Sequence, residues 1–246
     1  VDGLEKYVAL AVAGKEPMSF TPILLLGGPG IGKTHFAREL ANRLGTGHEF
    51  ISMSSLTAGW VLSGASAQWN NAKPGKVAHT LVHGDYANPI VVLDEIDKAG
   101  GDSRYDPMGS LYCLLEHETA RAFKDEFIDI DIDASHILWV TTANDERSIP
   151  EPILNRMNVY EVPRPDHDAA ISIAAALYRE IVGQHDWGFP PEADEAVLER
   201  LGSLPPRDMR KRLLAAFGTA KLEGRNWLEG KDFEQARMGR SRKIGF

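Results

Sequence analysis

The sequence predicts an α/β domain, a parallel sheet covered by helices on both faces, followed by a small all-helical lid. Three observations carry this reading. Short apolar runs, residues 23–26, 90–93 and 137–141, alternate with stretches of helical period, the pattern of a parallel sheet with crossover helices. A glycine-rich stretch, residues 27–34 (GGPGIGKT), lies between the first of these runs and a helix. Beyond Arg164-Pro165 only helical period remains. The domain boundary falls there, with an α/β domain over 1–163 and a helical lid domain with a C-terminal tail over 164–246.

The elements follow in order. Residues 1–14 carry Leu4, Val8, Leu10 and Val12 at amphipathic spacing, and Gly14 and Pro17 end that helix. The apolar run 23–26 is short enough for a buried parallel strand. In the next helix Phe36, Ala37, Leu40, Ala41 and Leu44 recur on one face. A second strand covers 49–52. Residues 54–75, rich in Ser, Gly, Ala and Asn, read as an inserted loop closed by Pro74-Gly75. A short helix covers 76–82, and the strand 90–93 ends on Asp94-Glu95. A polar loop (102–106) and a helix (108–116) come next. Residues 127–133 alternate Ile128, Ile130 and Ile132 with Asp129, Asp131 and Asp133, which predicts a half-buried strand. The strand 137–141 is followed by a stretch broken by prolines 150, 152, 163 and 165. Helices are predicted over 166–182, 192–201 and 206–222.

Bulk properties exclude several classes. The chain has 246 residues, 43% hydrophobic and 25% charged, an ordinary soluble composition. No apolar run is long enough to span a bilayer and no cleavable leader is evident, so a cytoplasmic protein is expected. The single cysteine, Cys113, excludes an internal disulfide, and its LYCLL setting predicts a small core residue. The net charge of −8 repels nucleic acid and anionic membranes as a whole. Val1 stands where a methionine would, which implies sequence before it.

Residues 27–34 fit G-x-x-x-x-G-K-[ST], the phosphate-binding P-loop, with Gly27, Gly32, Lys33 and Thr34 at the fixed positions. Glycines let the backbone curl its N–H groups toward phosphate oxygens, and the helix N-terminus adds its positive dipole end. The expected contact set is Gly27, Gly28, Pro29, Gly30, Ile31, Gly32, Lys33, Thr34 and the following His35. Lys33 reaches the β- and γ-phosphates of ATP, and the Thr34 hydroxyl ligates Mg²⁺. Such a loop needs an acidic partner for Mg²⁺ at the end of a neighbouring strand, and Asp94 in IVVLDEID supplies it. The adjacent Glu95 is placed to polarise the attacking water.

With GGPGIGKT, VVLDEID, TTAN (141–144) and NRM (155–157) on the page, the chain resembles AAA+ ATPases. Among them it is most similar to the ATPase module of the Lon protease family. DEIDKAGGDSRYDP, FKDEFIDIDIDASHILWVTTAND, IPEPILNRMNVYEV and LPPRDMR carry that similarity. The resemblance implies a Mg-dependent ATPase working as a homo-oligomeric ring, a hexamer, on protein substrates or a partner chain. It implies Asn144 as the sensor that places the lytic water, Arg156 as an arginine finger acting on the next subunit, and Arg207 as a second sensor from the lid. Each has a plainer alternative: a strand-end turn for Asn144, a helix C-terminal cap for Arg156, a solvated face for Arg207 beside Arg210, Lys211 and Arg212.

Two departures from the Lon pattern matter. Trp69 falls at the aromatic position of the substrate-gripping pore loop, but Asn70 stands where an aliphatic residue is expected. After the lid helices only a short stretch ending in RSRKIGF remains, so no protease activity is expected of these residues. The helical pair His79 and His83 lacks a third metal ligand, and His117-Glu118 lacks the second histidine of a zincin. Two other functions compete with a protein-remodelling motor. One is a nucleic-acid-linked loader or translocase, disfavoured by the acidic balance. The other is a nucleotide-gated assembly switch, disfavoured by the intact Asp94, Glu95 and Asn144.

Overall fold

The computed structural model describes residues 6–7, 9, 13–14, 18–56, 58–99 and 106–233. The chain forms two compact units, residues 1–29 with 33–163, and residues 30–32 with 164–246. Of the helix expected over 1–14, the described residues Lys6, Tyr7, Ala9, Ala13 and Gly14 are helical. The rest of that stretch, most of the 102–106 loop and the basic tail lie outside the described residues.

The first unit is built on a five-stranded parallel sheet of β1 (Ile23–Leu26), β2 (His48–Ser52), β3 (Ile90–Asp94), β6 (Leu138–Ala143) and β7 (Asn158–Glu161), in the order β2-β3-β6-β1-β7. Strand alternation assigns each side chain to one of two cores. Leu24, Val91, Leu93 and Trp139 pack on one face with Ile51, Leu62, Leu111 and Ile153. Ile23, Leu25, Val92, Leu138 and Val140 pack on the other, against Ala37, Leu40 and Ala41 of the helix Lys33–Leu44. Burial on both faces is why these strands read as continuous apolar runs. The sheet is thus an α/β parallel sheet of P-loop type, as the sequence predicts.

Three local expectations are corrected. Residues 127–133 do not form one strand. Residues 123–124 (β4, Phe123–Lys124) pair antiparallel with β5 (Asp131–Ile132), and a turn lies between them. The cause is Asp125, whose Oδ1 accepts the N–H groups of Phe127 and Ile128 at 2.9 and 3.1 Å and so bends the chain. Asp129 then takes φ 58°, and Ile130 is 60% exposed. The helix expected over 108–116 shrinks to Leu111–Leu114. The proline-broken stretch contains a helix, Glu151–Leu154, and the edge strand β7. Pro152 sits in the first turn of that helix, where a missing N–H costs nothing.

In the second unit the helices are His167–Gln184, Glu195–Gly202 and Pro206–Leu222, followed by a turn at Gly230–Phe233. Asp166 caps the first of them, accepting from the Ala169 N–H at 2.9 Å. Its core comprises Tyr178, Ile181, Val197, Leu201, Met209, Leu213 and Phe217. Arg225 and Asp232 are buried together as a bidentate pair at 2.6 and 3.0 Å. Among the described residues no helix is long and apolar enough to cross a membrane.

Candidate functional site

Parallel strands place their carboxyl ends at one edge, where ligands of open α/β sheets bind. Register puts Ser52 beside Asp94, and Leu26 beside Ala143, at that edge. The phosphate loop leaves β1 there, and its first N–H, from Gly27, donates to Ala143 O at 3.2 Å. Gly32 takes φ 102°, a conformation that a side chain resists. The helix Lys33–Leu44 starts directly afterwards.

Lys33 is 7% exposed, and its ammonium donates to Gly27 O, Gly28 O and Asn144 Oδ1 at 2.7, 2.8 and 2.9 Å. An ammonium only donates, so the three bonds use all its protons and fix the Asn144 oxygen toward it. Burial lowers the Lys33 pKa below the usual lysine value, against the opposing pull of Asp97, Asp94 and Glu95.

Two hydroxyls converge on one carboxylate oxygen. Thr34 Oγ1 donates to Asp94 Oδ1 at 2.6 Å, and Thr142 Oγ1 donates to the same atom at 2.7 Å. The hydroxyl and carboxylate of Thr34 and Asp94 form a hard oxygen pair beside the phosphate loop, the donor chemistry that suits Mg²⁺. Glu95 follows in a left-handed conformation, φ 56°, ψ 52°, uncommon for a residue with a side chain. Its N–H donates to Thr142 Oγ1 at 3.0 Å. Strain of this kind concentrates at functional sites. It turns Glu95 out of the strand direction while Asp94 stays in register with Ser52.

Lys33, Thr34, Asp94, Glu95 and Asn144 are therefore brought together. His35 is exposed on the helix. Arg156 stands apart from this group. It precedes β7, at the amino edge of the sheet, whereas Lys33 follows β1 at the carboxyl edge, and the two strands are parallel. Arg156 Nη1 donates to Pro152 O at 2.5 Å, and Nε lies 3.3 Å from Glu116 Oε2. A cavity of about 490 Å³ opens beside it, lined in part by Phe20, Leu115, Trp139 and Met157. Glu116, His117, Asn155 and Arg156 line it as well, and none of Lys33, Thr34, Asp94, Glu95 or Asn144 does, so it is not the phosphate site. Arg207 is exposed on the first turn of Pro206–Leu222 in the second unit. Arg210 on the same helix is engaged with Glu180 at 2.9 Å.

Two residues of this cluster escape sequence reasoning. Thr142 ties Asp94 to Glu95. The available signal was a pair of threonines interrupting an apolar strand, since buried hydroxyls must find partners. Asp97 has a fully buried side chain with neither oxygen hydrogen-bonded, and Lys98 Nζ lies 3.4 Å away. No pattern in IVVLDEID marks it as different from a solvated turn residue. Trp69, by contrast, is 53% exposed and meets Trp60 edge-on at 5.4 Å. Cys113 is half-buried, its Sγ 3.3 Å from Thr119 O. The rings of His79 and His83 lie 4.6 Å apart, and no group of three metal-ligating side chains occurs among the described residues.

Residues 23–164 match the family model "ATPase family associated with various cellular activities (AAA)". The chain is 34% identical over 178 residues to the Lon protease of Halothermothrix orenii, covering 72% of this chain and 23% of that protein. It is 37% identical over 155 residues to the Lon protease of Nitrosococcus oceani, covering 63% and 20%. The chain thus spans about a fifth of the length of these curated relatives. Among solved structures, the Thermotoga maritima RuvB Holliday junction branch migration motor superposes with a TM-score of 0.60 at 18% identity, over 94% of this chain and 65% of that one. At that identity the likeness speaks for the fold alone.

Proposed function

The chain belongs to the ATPase family associated with various cellular activities (AAA), and on that premise we propose that it is a Mg-dependent, ATP-hydrolysing motor that assembles as a ring and acts on polypeptide. The observation that carries the reading is the convergence of Lys33, Thr34, Asp94, Glu95 and Asn144 at one sheet edge.

Each residue then has a physical task. The loop backbone and Lys33 hold the phosphates, with the ammonium leaving the Gly27 and Gly28 carbonyls for phosphate oxygens of higher charge density. Thr34 and Asp94 would hold Mg²⁺, which when bound neutralises charge on the β- and γ-phosphates. Glu95, turned out by its left-handed backbone, orients the attacking water and accepts its proton. Asn144, released as Lys33 moves to phosphate, places that water. Such positioning supplies most of the rate in phosphoryl transfer.

Arg156 sits at the opposite sheet edge and serves a neighbouring subunit's nucleotide, as the ring reading requires. An arginine finger of this kind raises turnover by roughly 10³ to 10⁵. By the resemblance to Lon, Arg207 is the second sensor of nucleotide. The similarity to Lon proteases and the exposed Trp69 favour polypeptide over nucleic acid, and the net charge of −8 favours the same side. The test is ATP turnover of the full-length protein alone, with unfolded casein, and with duplex or branched DNA. Stimulation by casein alone supports the proposal. Stimulation by DNA alone replaces it with a nucleic-acid motor, and no turnover in any arm with ATP still bound replaces it with a switch.

A further inference from the structure

We propose that Asp125 is a positioning residue that ties both ends of the 64–75 loop together and thereby holds Trp69 in place for polypeptide; the inference rests on the polypeptide reading given above. Asp125 is fully buried, 0% exposed. One oxygen accepts the Phe127 and Ile128 N–H groups of the β4–β5 turn. The other accepts the Gly75 N–H at 2.8 Å, from the last residue of the loop. Among the described residues, every hydrogen-bond partner of this carboxylate is a backbone N–H.

The loop's other end meets the same carboxylate. Gly64 takes φ 82°, and a Cβ there would lie 2.4 Å from Asp125 Oδ1. A Cβ on Gly75 would lie 2.2 Å from Leu62 O. The two glycines are thus close-approach positions, where only a bare backbone fits. Further bonds close the neck, from Glu126 N–H to Ser63 O at 2.8 Å and from Ala65 N–H to Lys73 O at 3.1 Å. Inside, the Trp69 N–H donates to Ser66 O, and the Ala72 N–H to Trp69 O. The result is a compact loop with its ends joined, its tip presenting Trp69 against the Trp60 ring. Trp60 belongs to the helix Trp60–Ser63, which runs into the neck at Gly64. The chemistry demands aspartate. Its two oxygens only accept, and both face N–H donors, whereas an asparagine would set its own NH₂ against one of them.

The experiment uses the full-length protein, with Asp125→Asn, Gly64→Ala, Trp69→Ala and the double variant Asp125→Asn/Trp69→Ala. ATP turnover is measured with and without casein. Near-UV circular dichroism follows the Trp60–Trp69 pair, its contribution defined by what Trp69→Ala removes. Asp125→Asn should keep basal turnover within about twofold, lose most of the casein stimulation, and lose the tryptophan-pair signal. In the Trp69→Ala background, Asp125→Asn should change stimulation no further, because its effect runs through that side chain. Gly64→Ala, which drives a methyl into the carboxylate, should reproduce the phenotype and carries the test if Asp125→Asn does not fold. An unchanged pair signal overturns the proposal, and so does a basal loss equal to the stimulated loss. If Trp69→Ala itself leaves casein stimulation intact, Trp69 does not serve polypeptide and the proposal is overturned while the polypeptide reading stands. If casein does not stimulate the unaltered protein, the polypeptide reading fails, and the pair signal still decides whether Asp125 holds the loop.

Discussion

Asp94 Oδ1 accepts two hydroxyl protons, from Thr34 and Thr142, and the second of these threonines also holds the strained Glu95 backbone. Thr142→Val keeps the shape and removes both links. A buried hydrogen bond of this kind is worth about 1–3 kcal/mol, so turnover should fall roughly 10- to 100-fold while ATP affinity stays nearly unchanged. Single-turnover kinetics beside equilibrium nucleotide binding checks this, and equal losses in both would point to a merely structural threonine. Lys33 and Glu95 should separate in the same assays. Lys33→Ala loses binding because the ammonium meets phosphate in the ground state. Glu95→Gln binds but does not turn over, and wild-type turnover in it would remove Glu95 from the mechanism. Lys33, Thr34, Asp94 and Glu95 were legible because a loop motif and a strand-end acidic pair have fixed spacing, and Asn144 only through the resemblance that TTAN helps to carry. Thr142 and Asp97 were not, because their significance lies in which strand ends meet at one edge, and sequence distance does not carry that.

At the scale of elements, the central strands were readable from apolar runs, since burial on both faces leaves no alternative pattern. The stretch at 127–133 misled for a physical reason. Its alternation is genuine, but Asp125 captures two N–H groups locally and wins over extension. β7 was hidden by flanking prolines and by exposure as an edge strand, with Val159 42% exposed. The buried pair of Arg225 and Asp232 was equally silent, lying beyond the last periodic helix. Burial pushes the Asp232 carboxyl up, but the Arg225 and Glu229 N–H bonds outweigh it, and its pKa ends below the ordinary 3.8. A depressed carboxyl contributes stability that is fully present above the unfolded value and is lost as pH falls through the folded one. The pair should therefore hold the helical unit across neutral and mildly acid pH, with loss confined below about 4. Asp232→Ala leaves a buried guanidinium short of its main partner and should cost about 3 kcal/mol, read as a lower thermal midpoint at pH 7. An unchanged midpoint would show the pair to be dispensable.

For the whole molecule, Arg156 and Lys33 lie at opposite ends of parallel neighbouring strands, which supports the proposal that Arg156 serves another copy. If Arg156 contributes to hydrolysis at all, it does so in another copy. Assembly should then depend on nucleotide, and sedimentation of the full-length protein with a non-hydrolysable ATP analogue should show a closed ring, six-membered by resemblance to Lon; a strict monomer there would contradict a ring motor. The most direct measurement mixes two inactive proteins, Arg156→Ala and Glu95→Gln, at concentrations that permit assembly. One interface of a mixed ring joins an intact Glu95 to an intact Arg156 from its neighbour, a pair that neither parent can form. ATP turnover should therefore reappear on mixing and vanish on dilution. A mixture as inactive as its parents, in rings shown to contain both chains, would contradict action in trans and leave Arg156 as the cap on Pro152 O.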